Sequence, residues 1–399
     1  MAALLFLSVF CVRTEALPRF DKEVVRYDSD WLVSAPTVSA TLFETTTPGE
    51  LVLSNGLISR TFRTKPNGAT VSFDLMTTGT ELLRGVKPEA RVTIDGVDID
   101  VGGLLGQPNY AFLRNEWLAD MKSDPDAMQF IRWESGPIEP RMNWKRVRHA
   151  APNVQWPPRG IHLCMTYGMP ESASETLRDI LVRVHYNLYD GVPVLSKWIT
   201  VENTGQTSVR LDSFTCELLA AVENGSEVNN PDNLTPNIHV ESDMAFCSMG
   251  APGAIRSAAH WIPDPDFTTQ VNYQLKTPCL LEASPDVGPA TTIEPGGSFE
   301  SFRVFELPFD STDRERNGLA QRRMYRTIAP WVTENPLMMH VRYADWETVK
   351  NAIDQCAETG FEMVILTFGS GFDLEDDSKG NLERMRQYAD YAHSKGIEI

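Results

Sequence analysis

Basic residues are scarce in this sequence: 36 Lys plus Arg stand against 54 Asp plus Glu, a net charge of -18. A field of that sign repels a phosphate backbone and argues against nucleic acid as a partner. No apolar run approaches the ~20 residues of a membrane span, so no span is expected. The six cysteines are widely spaced and none forms a C-x-x-C pair, which removes the usual zinc and thioredoxin-type patterns. Cys164, Cys216, Cys247, Cys279 and Cys356 are expected mainly as small buried hydrophobes, with room for one disulfide but not a disulfide scaffold. G-x-S-x-G, P-loop, dinucleotide and H-E-x-x-H patterns are all absent. No cofactor or metal is expected.

The 399 residues present suggest two or three domains at roughly 150 residues each. Ala2 to Val12 is apolar and is followed by Arg13-Thr14-Glu15-Ala16, which reads as a signal peptide over residues 1–16 and a secreted or periplasmic location. Cys11 lies within it. A buried first strand or a misassigned start codon are the competing readings.

From residue 17 to 310 the pattern is strand-like, as expected for a large antiparallel β-sandwich. Asp95-Gly96 separates two alternating runs, a strong hairpin signal because both turn positions take φ > 0. Ile180, Val182, Val184, Tyr186 and Leu188 fall on one face of a strand, and Asp190-Gly191 is expected to turn the chain back through Val192 to Val201. Pro66-Asn67-Gly68 and Pro295-Gly296-Gly297 mark further turns. Asn109 to Met128, Trp133 to Pro158 and Asn224 to Asn237 read as long loops.

Residues 311–336 are expected to form a linker containing a helix with Leu319, Met324 and Ile328 on its apolar side. Residues 337–399 alternate strand, helix, strand, helix, strand. Asp345 caps the first helix, Gly360 ends it, and Asn381 is expected to cap the second, with Leu382, Met385, Ala389 and Ala392 inward. Strands joined through helices lie parallel. The segment therefore reads as the first β-α-β-α-β part of a (β/α)8 TIM barrel, truncated at Ile399. On this reading the chain alone lacks hydrolase activity and exposes a bare apolar face.

Ligands of parallel α/β folds gather at the carboxyl ends of the strands. Those ends are Arg342-Tyr343-Ala344 and the loop from Gly369 to Gly380. Ser370 allows close backbone approach, Phe372 offers a stacking face, and Asp373 either binds sugar hydroxyls or serves the turn. Arg342 either contacts a ligand or pairs with an acid. Asp376 and Asp377 read as solvated, and the acids do not follow an EF-hand pattern. Asn55 either reaches a pocket or holds an Asn-Gly turn. Trp117, Trp133, Trp144 and Trp156 are either sugar platforms or loop anchors. His340, inside a strand, reads as a core histidine.

Three stretches carry a family likeness: Leu53-Ser54-Asn55-Gly56-Leu57-Ile58-Ser59-Arg60-Thr61-Phe62; Tyr186-Asn187-Leu188-Tyr189-Asp190-Gly191-Val192-Pro193 with Lys197-Trp198 and Val201-Glu202-Asn203; and Arg323-Met324-Tyr325-Arg326. With the order sandwich, linker helix, barrel, the chain resembles the melibiase-type α-galactosidases of glycoside hydrolase family 36. The resemblance implies retaining hydrolysis of α-galactosides by two carboxylates about 5–5.5 Å apart, an oligo- or polysaccharide substrate and a possible homo-oligomer. It places those carboxylates after the fourth and sixth barrel strands, so no residue here takes either role. The loop that usually carries an Asp-Asp-Gly-Trp-like motif reads Gly369-Ser370-Gly371-Phe372-Asp373, with Asp373 as its one acidic counterpart. A non-catalytic carbohydrate-binding or surface-interaction sandwich, and another carbohydrate-active enzyme such as a lyase or epimerase, are the alternative readings.

Overall fold

The structure is a computed structural model that describes residues 16–146, 154–225, 235–244, 253, 255–268, 276–332, 336–367 and 369–399. The expected signal peptide and Cys247 fall almost wholly or wholly outside these residues, as does most of the Asn224–Asn237 loop. Two compact units emerge: Met1–Pro140 with Pro157–Met324, and Arg141–Trp156 with Tyr325–Ile399.

The first unit is antiparallel. A five-stranded sheet runs in sequence order from Thr41–Glu44 to Thr80–Glu81. A seven-stranded sheet is centred on Gly160–Gly168, Ile180–Tyr189 and Leu195–Asn203. Two four-stranded sheets complete it, one holding Val209–Thr215 against Ala90–Ile94 and the other holding Glu217–Ala221 between Leu280–Ala283 and Leu83–Gly85. One hydrophobic core draws on all four sheets. The alternation seen in the sequence supplies it: Ile180, Val182, Val184, Tyr186 and Leu188 are each 0% exposed. Burying each such side chain contributes about 1.5–3 kcal/mol, which fixes the register of this strand against a one-residue slip.

Turn chemistry holds where the backbone demanded it. Asp95 and Gly96 have φ of 50° and 75°, and Val92 pairs with Ile99 across the hairpin. At Asp190-Gly191 the expected two-residue turn is replaced by a longer loop, because pairing stops at Leu188 opposite Leu195. Trp133 also departs from expectation. It lies in the strand Gln129–Pro137, partly buried against the core, rather than in a loop.

The division between units falls inside the helix Arg314–Ile328. Ala320, Met324 and Ile328 are buried, while Leu319, expected on the apolar side, is 54% exposed. Near the helix start Arg316 pairs with Asp310 at 2.7 Å and Asp30 at 2.9 Å. The segment Arg141–Trp156 belongs with the second unit: Trp156 packs edge-on against Trp331 at 5.0 Å and donates its indole N–H to the Met142 carbonyl. Trp156 is a loop anchor.

In the second unit Met338–Val341 and Met363–Leu366 pair in parallel, and a parallel bridge joins Met363 to Glu398. Strand, helix, strand, helix and incipient third strand thus follow as the periodicity implied. Asp345 caps the helix Trp346–Thr359 by accepting from the Thr348 N–H, and Gly360 closes it at φ 84°. The second helix, Lys379–Ser394, is capped by Ser378 instead of Asn381. Its inward stripe is Asn381, Met385, Tyr388 and Ala392; Leu382 points outward at 54% exposure. His340 lies on the open face of its strand, hydrogen-bonded to Thr367, and is not a core histidine.

Candidate functional site

The carboxyl ends of the two parallel strands form a ledge. The Ala344 N–H donates to the Ser370 carbonyl at 2.7 Å, so the two strand-end loops lie side by side. The Tyr388 hydroxyl rises from the second helix and donates to the Ala344 carbonyl at 2.7 Å, fixing the first loop from below. Gly369 and Gly371 adopt φ of 81° and 92°, a left-handed path that favours glycine and lets the loop double back over buried Ser370. Arg342 and Tyr343 stay exposed, Tyr343 at 66%. Phe372 is half-buried and Asp373 exposed.

The acids of this loop divide by task. Asp376 accepts from the Ser378 N–H at 2.9 Å, and that hydrogen bond holds its carboxyl below the usual range. Asp373 accepts from the Glu375 N–H at 3.0 Å through Oδ1, leaving Oδ2 for a ligand. Asn381 donates to the carbonyls of Asp373 and Asp376 at 3.0 and 2.7 Å, tying the loop to its helix. The fold thus sets Ala344, two residues after Arg342, against Ser370, and Phe372 and Asp373 follow Ser370 in the same loop. The arrangement offers a cation, a ring and a carboxylate oxygen to a polar ligand.

Asn55 is not part of it. Its amide donates to the carbonyls of Tyr189 and Val192 at 2.7 and 2.8 Å, and its oxygen accepts from the N–H groups of Leu57 and Ile58. The side chain is fully buried with every hydrogen-bonding position used, so the turn reading applies and the pocket reading does not.

A second constellation escaped the sequence altogether. Inside the sandwich, Glu217 receives Arg60 at 3.1 Å and Lys197 at 2.8 Å, while Glu306 lies 3.5 Å from Arg60. Lys197 also approaches Glu89 at 3.4 Å, and Tyr186 donates to Glu89. Burial pushes Glu306 well above the usual carboxyl range, reinforced by the neighbouring Glu217 charge. Glu217 is held down at about 2 by the two cations, against its own burial. Two carboxyls driven apart in this way resemble an acid–base pair. Every member is nevertheless 1% exposed or less, so no substrate reaches them and the network is structural. No periodicity signals it, because its members lie up to 246 residues apart.

The four described cysteines, Cys164, Cys216, Cys279 and Cys356, are buried free thiols, and burial lifts Cys164 and Cys216 to about 12. Among the described residues no group of three or more His, Cys, Asp or Glu is placed to hold a metal ion, and no helix is long and apolar enough to cross a membrane.

No family model matches the chain, and neither does any curated protein. Solved structures do. The GH36 α-galactosidase AgaB from Geobacillus stearothermophilus aligns at 13% identity and a TM-score of 0.45, over 90% of this chain and 56% of that one. An α-galactosidase from Lactobacillus brevis aligns at 10% identity and 0.42, over 87% and 53%. The galactosidase domain of the α-galactosidase-sucrose kinase AgaSK aligns at 9% and 0.42, over 90% and 56%. The chain spans a little over half the length of these structures.

Proposed function

We propose that this chain supplies the β-rich domain and the first substrate-facing strand ends of a glycoside hydrolase of the α-galactosidase kind, acting with retention on oligosaccharides that carry α-linked galactose. The observation that carries the reading is the ledge. Two parallel strand ends are bonded to each other through Ala344 and Ser370, and the loops they open carry exposed Arg342 and Asp373 and half-buried Phe372. Its place after a large antiparallel domain and a helix agrees with the sequence resemblance. The ledge would position sugar hydroxyls and a ring face, whereas bond cleavage needs a carboxylate pair that none of these residues supplies. The proposal includes export, on the apolar pattern of the first sixteen residues.

Titration of raffinose into the purified chain, followed by saturation-transfer NMR, tests it. Expected is weak binding that falls at least tenfold in Arg342→Ala and Asp373→Asn, with no turnover of an aryl α-galactoside by the chain alone. Absence of any raffinose binding component sensitive to both substitutions, or turnover by the purified chain, would count against it.

A further inference from the structure

The first unit holds an open cleft of about 560 Å³, within the range of small-molecule sites. Its lining includes Arg91, Asp100, Gln107, Asp124, Phe267 and Glu282. The walls are built, not accidental. Phe267 lies flat against Gly85, where a Cβ would meet its ring at 2.4 Å, and the Phe267 carbonyl accepts from Arg84 at 2.8 Å. Gln107 lies beside the same glycine, accepting from the Val86 N–H at 2.9 Å and donating to the Arg84 carbonyl at 3.2 Å.

The charges define what fits. Lys87 and Arg91 are the two cations of the lining, and both are occupied: Lys87 by Asp264 and Asp266 at 2.6 Å each, Arg91 by Asp100 at 2.7 Å. With Asp100, Asp124, Asp266 and Glu282 also in the lining, carboxylates outnumber these two cations, and an anion meets a net negative wall. Asp124 keeps one carboxylate oxygen after accepting from the Asp126 N–H, and Glu282 adds its charge to the field around Arg91. The lining offers hydrogen-bond acceptors and lacks a metal-holding cluster. That chemistry suits a neutral ligand rich in hydroxyl donors.

A second observation points the same way. Asn109 donates to the Thr268 hydroxyl at 3.0 Å, which fastens the loop after Gln107 to the neighbour of Phe267 at the cleft rim. From that rim the chain runs into Tyr110, Phe112 and Trp117. Their centroids lie 5.4–5.6 Å apart with interplanar angles of 23–27°, so the three rings form one near-parallel patch. Tyr110 and Phe112 are 47% and 48% exposed, an apolar display that packing does not require. Aromatic faces beside hydroxyl acceptors are the recognition surface of a pyranose, whose C–H faces stack while its hydroxyls donate.

We propose that this cleft and its aromatic rim form a binding site for a neutral oligosaccharide, carried by the antiparallel unit and independent of the strand-end ledge. Cellohexaose, maltohexaose and stachyose, with hexagalacturonate as the anionic control, are titrated into the chain and read by saturation-transfer NMR and tryptophan fluorescence. At least one neutral oligosaccharide is expected to bind, with affinity falling tenfold or more in a Tyr110→Ala, Phe112→Ala double variant and threefold or more in Glu282→Gln. An Arg342→Ala, Asp373→Asn double variant should keep at least one binding event with unchanged affinity. Glu282→Gln is nearly isosteric and decides the matter if the ring variant fails to fold. Absence of binding by all three neutral sugars, tighter binding of hexagalacturonate, or loss of all binding in the ledge variant alone would overturn the proposal.

Discussion

Asn55 shows how a single amide can join distant parts of a β-rich unit. It closes the Asn-Gly turn with its oxygen and holds a loop 134 and 137 residues away with its nitrogen. Because the site is fully buried, Asn55→Ala takes the side-chain acceptor from the Leu57 and Ile58 N–H groups and one donor each from the Tyr189 and Val192 carbonyls, and a buried group left without a partner costs about 1–3 kcal/mol. We expect destabilisation of at least ~2 kcal/mol by urea titration, with raffinose affinity unchanged in the folded fraction. An unchanged midpoint would mean that the amide is dispensable. Residue type alone leaves such a role open, since an Asn before Gly satisfies a turn with or without a distant partner.

At the scale of elements, the most readable features are those set by local rules. The Asp345 cap, the Gly360 stop and the Asp95-Gly96 hairpin follow from conformational preference and capping within a few residues. Asp345→Ala is accordingly expected to cost about 1 kcal/mol, seen as faster amide hydrogen exchange confined to the first turns of Trp346–Thr359. Exchange that accelerates throughout the unit would contradict a local cap. Misreadings occur where a neighbour decides the outcome. Leu382 looked inward by spacing, yet the stripe is rotated because Asn381 is drawn in by two loop carbonyls and Tyr388 reaches Ala344. Trp133 sat among loop-forming residues, but pairing of Gln129–Pro137 with Gly160–Gly168 overrode composition. At the ledge, the adjacency of the two strand-end loops through Ala344 and Ser370 was legible because parallel strands bring their carboxyl ends together. The cleft was not, since its walls come from strands and loops far apart in sequence.

For the molecule as a whole, the buried network makes stability depend on pH in both directions. Three carboxyls face two cations, so one proton neutralises the set, and Glu306 is the group driven to keep it. The folded chain holds that proton where the unfolded chain releases it, so this contribution falls as pH rises above the ordinary value of 4.5. Glu217 acts oppositely: its contribution is full above 4.5 and is lost as pH falls toward about 2. Glu306→Gln keeps the neutral form permanently. Its stability advantage over the parent, read by urea titration, should be absent below pH 4.5 and widen above it, by up to about 1.4 kcal/mol per pH unit. A constant difference from pH 4 to 8 would show that Glu306 does not carry the proton.

The same network sets an order on synthesis. Arg60 leaves the ribosome early, Lys197 and Glu217 follow, and Glu306 arrives 246 residues after Arg60. Until Glu217 is translated, the guanidinium at the centre of the sandwich has neither of its carboxylate partners, and an unpaired charge keeps a core wet. Hydrophobic strands such as Ile180–Tyr189 are already made during that interval. The centre of this unit can therefore close only after residues far downstream of Arg60 have been made, so its drying is a late event in the assembly of the chain.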